Sequence, residues 1–143
     1  MSRIYLDTSV LAKRYLASPE SDAVEALLES AEDEFLVSDL CVVEFESVLR
    51  RRAREPAGRR LDRSGVRSRF DDDMRSGFFL LRPLEASILA GARRWIADGE
   101  PISTLDAVHL ATAVAAEADG LATDDRQFAR AARAAGLRVT TFL

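Results

Sequence analysis

Five short apolar runs punctuate the chain: Ile4-Tyr5-Leu6, Phe35-Leu36-Val37, Phe78-Phe79-Leu80-Leu81, Leu121-Ala122-Thr123 and Val139 to Phe142. Between them lie stretches in which apolar residues recur at helical spacing. β-Branched, aromatic and aliphatic residues in runs this short suit buried strands. Strands that alternate with helical crossovers build a parallel sheet covered by helices on both faces. The pattern therefore predicts an α/β protein, a three-layer α/β/α fold with a central parallel sheet of four to five strands. Nothing in the chain reads as a linker, a repeat or a low-complexity tract, so residues 1–143 are expected to form one domain.

The helices follow from periodicity and punctuation. Val10, Leu11, Tyr15 and Leu16 give a short helical face. Ser18-Pro19 reads as a cap followed by proline at a first helical position. Val24, Leu27, Leu28 and Ala31 form the next stripe, closed by Glu32-Asp33-Glu34. A long helix is predicted from about Leu40 to Arg54, broken by Glu55-Pro56-Ala57-Gly58. Residues 60 to 76 read as an exposed arginine-rich helix with Leu61, Val66, Phe70 and Met74 to bury. Ile88, Leu89, Ala92, Trp95 and Ile96 mark the next helix. Pro101 and Ser103 open another, apolar through Leu105, Val108, Ala111 and Val114. Phe128, Ala131, Ala132 and Ala135 face one side of the last, which Gly136 caps.

A chain of 143 residues with 48% hydrophobic and 31% charged residues can bury one ordinary core. The single cysteine, Cys41, excludes an internal disulfide framework and fits a reducing compartment. No apolar run approaches the roughly 18 residues of a membrane span, and the N-terminus lacks a signal-peptide core. The expected setting is soluble and cytoplasmic, with no membrane partner. The net charge of −4 does not suggest a nucleic-acid binder. The average conceals one segment, however. From Arg50 to Arg69 nine arginines stand against Glu55 and Asp62, a local charge of +7.

Among 24 acidic residues, those out of place on a wet surface are informative. Asp7 follows the first strand with Thr8 and Ser9, where it can cap the coming helix or hold a ligand. In the long helix, Glu44 lies four residues after Leu40 and four before Val48, on an apolar face with no cation at either position. Glu46, by contrast, precedes Arg50 by four residues, the favoured orientation for a surface ion pair. A buried carboxylate must be hydrogen-bonded, paired or holding a metal. Asp106 stands three residues after Ser103 in an approximate capping box. It also opens a helix of alanine, valine and leucine that has no wet face. His109, one turn later, reads as a core histidine or a support for a ligand rather than a ligand. Thr123-Asp124-Asp125 ends the fourth strand, and helix capping explains only one of its two aspartates. Asp71-Asp72-Asp73 point in three directions from a helix and read as a solvated run.

In a parallel sheet Asp7, Glu44, Asp106 and Asp124 or Asp125 all fall at the carboxyl edge, where α/β folds bind ligands. Carboxylates about 5 Å apart repel by roughly 3 kcal/mol per pair at an effective dielectric near 20. A divalent cation removes that repulsion, and ligands supplying only oxygen indicate Mg²⁺ or Mn²⁺ rather than zinc.

These residues carry a resemblance. Tyr5-Leu6-Asp7-Thr8-Ser9, Val43-Glu44, Leu105-Asp106-Ala107-Val108-His109-Leu110-Ala111-Thr112-Ala113, and Thr123-Asp124-Asp125 followed by Ala131 to Leu137 resemble the PIN domain, specifically the VapC-type ribonuclease toxins of prokaryotic toxin–antitoxin pairs. The resemblance spans essentially the whole chain. It implies a metal site of Asp7, Glu44, Asp106 and Asp125, with Ser9 and Thr123 orienting carboxylates or a metal-bound water. Asp124 falls between the matched positions and stays an alternative to Asp125. The implied activity is endoribonuclease cleavage of RNA with Mg²⁺ or Mn²⁺, by one ion or two. The implied partners are a VapB-like antitoxin and a second copy in a homodimer. Because an acidic cleft repels RNA, phosphate contacts are expected from the arginine segment, with Arg59, Arg60 and Arg63 as candidates.

Three other readings compete. A haloacid-dehalogenase-type phosphatase would want a second aspartate where the chain has Ser9. A Cys41/His109 thiol hydrolase has two residues and no supporting motif. A non-catalytic RNA- or partner-binding module would be favoured by a missing acid, and none of the four is missing.

Overall fold

A computed structural model covers residues 1–143 and contains the five expected strands in one sheet, all parallel, in the order β3-β2-β1-β4-β5. The chain runs β1 (Arg3–Leu6), α1 (Thr8–Ala12), α2 (Ser21–Leu28), β2 (Glu34–Ser38) and α3 (Leu40–Arg54). A 3₁₀ turn (Pro56–Arg60) leads to α4 (Arg63–Ser76), β3 (Leu80–Arg82), α5 (Ala86–Ala97) and α6 (Thr104–Ala115). β4 (Gly120–Thr123), α7 (Arg126–Ala134) and β5 (Arg138–Thr141) complete it. β1 pairs with β2 on one side (Tyr5 beside Leu36) and with β4 on the other (Tyr5 beside Leu121). The order of connection reverses between β1 and β4, which makes the carboxyl ends of these two strands the switch point of the fold.

Side-chain alternation along the strands sends apolar residues to two cores. Leu6, Phe35, Val37 and Ala122 join Val10, Leu11, Phe45, Leu49 and Phe70 on one face. Tyr5, Leu36 and Leu121 join Leu110, Phe128 and Ala132 on the other. This is the three-layer arrangement expected from the sequence. No helix is long and apolar enough to cross a membrane.

Several local expectations are corrected. α1 ends at Ala12, so Tyr15 and Leu16 are buried from the following turn rather than from a helix. Pro19 is not at a first helical position: α2 begins at Ser21, whose hydroxyl accepts from the Ser18 amide and donates to the Lys13 carbonyl. α2 stops at Leu28, leaving Ala31 exposed and placing Glu34 in β2. Phe78 and Phe79 precede β3 instead of belonging to it. Phe79 is buried, while Phe78 lies under the Arg14 guanidinium, 4.8 Å from the ring centre.

The arginine-rich helix exists, and its apolar minority explains why. Asp62 caps α4 by accepting from the Gly65 amide, and Gly77, at φ +83°, ends it. Phe70 stacks on Phe45 at 4.2 Å with an interplanar angle of 3°. Tyr15 meets both rings edge-on. Two polar contacts redraw the expected surface. Glu46 pairs not with Arg50 but with Arg67 of α4, through two bonds of 2.6 and 2.8 Å. Asp73 is not simply solvated, because it accepts from Arg14 at 3.0 Å and from the Tyr15 hydroxyl at 2.5 Å. The expected run of three wet aspartates thus contributes one member to the seam between α4 and the turn after α1.

Candidate metal centre

β1 delivers Asp7 to the switch point with its backbone still in the sheet, since the Asp7 amide donates to the Ala122 carbonyl of β4 at 3.0 Å. Asp7 occupies the capping position of α1, yet its carboxylate caps nothing. Oδ2 instead accepts from the Ser9 hydroxyl at 3.0 Å and from the Thr123 hydroxyl at 2.8 Å. Asp7 is 6% exposed, its Oδ1 takes no donor, and no buried polar side-chain atom in the protein lacks a partner. Oδ1 is therefore the oxygen open to the cleft that Asp7 lines. Burial raises the Asp7 pKa despite His109, Thr123 and Ser9, which act to lower it.

Glu44 reaches the same cleft from α3. The helical phase that leaves it without a cation on its own helix is correct, but it is not unpaired. Its Oε1 accepts from the Thr8 hydroxyl at 2.8 Å and lies 2.5 Å from Nε2 of His109, 65 residues away. His109, 1% exposed, contacts the Tyr5 phenol through Nδ1 at 2.5 Å. Burial would raise the Glu44 pKa and lower that of His109. The hydrogen bond and opposite charges reverse both, so Glu44 is held below the ordinary carboxylate value and His109 above the ordinary imidazole value. His109 is thus the support for a cleft carboxylate that its position suggests.

Asp106 stands in the first turn of α6. Half of the expected capping box forms: the Ser103 hydroxyl accepts from the Asp106 amide at 3.2 Å, while the Asp106 side chain lines the cleft. Burial first, and then the charge of Asp7, push the Asp106 carboxyl up to about 6. After β4 the two aspartates divide their tasks. Asp125 caps α7, its Oδ1 accepting from the Phe128 amide at 2.9 Å, while Asp124 accepts from Lys13 at 2.7 Å. The Thr123 hydroxyl, besides donating to Asp7, accepts from the Asp125 amide at 3.1 Å.

The sequence-predicted acids Asp7, Glu44, Asp106, Asp124 and Asp125 thus line one cleft of about 580 Å³, together with Ser9. Arg51 and Arg52 of the arginine segment stand on the same walls, and beside them Lys13, a cation that sequence reasoning missed. Arg51 had a readable signal, because it follows Glu44 by seven residues, two turns along the same helical face. Arg52 is tied to the Ala17 carbonyl at 2.8 Å. Arg59, Arg60 and Arg63 are exposed on the 3₁₀ turn and the start of α4, and they do not line the cleft.

As the side chains stand, no three His, Cys, Asp or Glu groups close on one point that would hold an ion. The donor set itself fits a hard divalent ion. Every acid of the cleft offers oxygen, Oδ1 of Asp7 faces it without a donor, and the charges of neighbouring acids add to burial in raising the Asp7 and Asp106 carboxyls. The one cysteine offers no rival chemistry. Cys41 is fully buried outside the cleft, and burial pushes its thiol up to about 12, far from the thiolate a nucleophile needs.

Comparison with known proteins places the fold. No curated protein matches the sequence. Among solved structures, VapC20 of Mycobacterium tuberculosis, described as a toxin that cleaves the sarcin–ricin loop, superposes with a TM-score of 0.73 at 18% identity, over 94% of this chain and 95% of its own. VapBC2 of Rickettsia felis, bound to a DNA fragment from its promoter, gives 0.65 at 15% identity over 97% and 98% of the two chains. FitAcB of Neisseria gonorrhoeae gives 0.62 at 22% identity over 96% of each. These likenesses are likenesses of fold. The family model of the PIN domain matches residues 4–134, a span that takes in all the cleft acids. The chain belongs to the PIN-domain family.

Proposed function

We propose that residues 1–143 act as a divalent-metal-dependent endoribonuclease of the VapC type, the toxin of a toxin–antitoxin pair, which hydrolyses RNA phosphodiester bonds in the acidic cleft. The observation that carries this reading is Asp7. A carboxylate buried at the switch point of a parallel sheet, locked on one oxygen by Ser9 and Thr123 and open on the other, is built to present a single oxygen to a ligand. Asp7, Asp106, Glu44 and one of Asp124 and Asp125 would hold Mg²⁺ or Mn²⁺. Such an ion, when bound, lowers the pKa of water and neutralises charge on the phosphate oxygens. Ser9 and Thr123 fix the rotation of Asp7, and Thr8 and His109 fix that of Glu44. A carboxylate oxygen without a donor accepts the proton of the attacking water. Arg51 and Arg52 in the cleft wall, with Arg59, Arg60 and Arg63 beyond it, receive backbone phosphates.

The partner proposed is a small antitoxin of the VapB kind, acting on a homodimer of the toxin in the cytoplasm. Relatives of this fold solved as VapBC complexes on DNA support it. The test is incubation of the purified protein with structured RNAs, one carrying a sarcin–ricin loop, with and without Mg²⁺ or Mn²⁺, beside an Asp7→Asn variant. Metal-dependent cleavage that disappears in the variant is expected. Cleavage surviving in Asp7→Asn refutes the assignment, and a wild type that cuts no RNA returns the chain to a binding module.

A further inference from the structure

The acid cluster contains a cation of its own. Lys13, the only lysine among 20 basic residues, sits at the C-terminal end of α1. Its Nζ is 2.7 Å from Oδ2 of Asp124 and 3.4 Å from the Ser9 carbonyl. Lys13 and Asp124 both line the cleft, with side chains 14% and 31% exposed, drier than an ordinary surface pair. Each end of the contact is pinned by the fold. Lys13 is one helical turn after Ser9, which bonds Asp7, and Asp124 directly follows β4, the strand beside β1. The next aspartate is engaged differently: Asp125 gives Oδ1 to the Phe128 amide, and its Oδ2 takes no donor. In a chain that otherwise uses arginine, this position carries the compact point charge able to stand where an ion would.

We infer that Lys13 is a resident second cation of the centre: its ammonium holds Asp124 out of the coordination sphere, so the centre takes one divalent ion and Asp125 supplies the fourth acid. The inference rests on the metal-dependent reading above. A second ion at Asp124 would have to displace an ammonium already at hydrogen-bond distance from that carboxylate. Lys13 is in this sense a positioning residue, acting through Asp124.

The test is Mn²⁺ binding by isothermal titration calorimetry on the full chain without RNA. It uses the wild type, Asp124→Asn, Asp125→Asn, Lys13→Met and Lys13→Arg, each first shown to be folded by circular dichroism. The wild type should bind one Mn²⁺ per chain. Asp124→Asn should change Kd by less than about threefold and Asp125→Asn should weaken it by more than about tenfold. Lys13→Met should tighten binding by about tenfold or admit a second ion, because a positive charge leaves and a carboxylate is released. Lys13→Arg, which keeps the charge, should retain one ion; a merely structural lysine would alter melting in both variants and stoichiometry in neither. Two ions per wild-type chain overturn the inference. So does loss of binding in Asp124→Asn with Asp125→Asn unaffected, or unchanged binding in Lys13→Met. A folded wild type that binds no Mn²⁺ is a different failure, which removes the metal-dependent reading itself.

Discussion

Replacing His109 with leucine isolates what the buried chain of Tyr5, His109 and Glu44 contributes. His109 is 1% exposed and lies 2.5 Å from Oε1 of Glu44 on one side and 2.5 Å from the Tyr5 phenol on the other. Leucine fills much of the ring's volume and serves neither partner. A hydrogen bond to a charged group contributes about 1.5–3 kcal/mol, and a buried hydroxyl stripped of its partner costs about 1–3 kcal/mol. Glu44 keeps contact with water and recovers part of its solvation, so the low end applies to it, and the expected loss is about 3–4 kcal/mol. At about 2–4 °C per kcal/mol for a domain of this size, melting falls by about 10 °C. Adding Tyr5→Phe to His109→Leu should recover about 1 kcal/mol or more, since it removes the orphaned hydroxyl.

The penalty should also depend on pH. His109 is raised above 6.5 in the fold, so its contribution is complete below 6.5 and fades as pH rises through its folded value. Glu44 is lowered below 4.5, so its contribution is present above 4.5 and fades as pH falls through its folded value. The two overlap most fully between 4.5 and 6.5. Urea unfolding in EDTA near pH 6 and pH 9, on the wild type, both single variants and the double, measures all of this. A penalty below about 1 kcal/mol, equal penalties at the two pH values, or strict additivity would refute the reasoning.

Further expectations follow from other contacts. Phe70→Ala should cost about 3–5 kcal/mol in urea unfolding with an unchanged m-value, since it empties the stack on Phe45 that anchors α4. Asp106→Asn should melt at a higher temperature than the wild type at pH 8 in EDTA, by the equivalent of about 1 kcal/mol after solvent screening, and the difference should vanish below pH 3.8. The sign follows because a carboxyl raised from 3.8 to about 6 loses its favourable contribution as pH rises through that interval. A less stable Asn variant at pH 8 would contradict it. Arg51→Ala should reduce the slope of log K against log salt for RNA binding by about 0.7, one phosphate contact, whereas neutralising Arg59, Arg60 and Arg63 together should reduce it by about 2 if all three touch the backbone.

What the sequence made legible is what periodicity encodes. The five strands, the parallel sheet and the odd phase of Glu44 all follow from which residues share a face. The partner that resolves that oddity was not legible, because His109 meets Glu44 only after 65 residues of chain have folded between them. The same limit misassigned Glu46: Arg50 satisfies the local spacing rule, but Arg67 offers two bonds at once and wins. Asp7 shows the converse. Its position suggests a cap and its neighbours suggest a ligand; Ser9 beside it and Thr123, 116 residues on, occupy the same oxygen and leave the other open. Lys13 escaped notice since a lone cation in a helical pattern looks like any surface charge until Asp124 stands opposite it.

The central place of β1 has a consequence for synthesis. Asp7 leaves the ribosome well before β4, which flanks its strand, and before Thr123, which helps fix its carboxylate from 116 residues further on. Pairing across that separation is costly in loop-closure entropy and forms late. Every nascent chain that has not yet reached Thr123 therefore carries Asp7 with Ser9 alone on its carboxylate and without the strand that flanks it. The cleft at the switch point is therefore incomplete, by topology, until β4 has been made and has paired with β1.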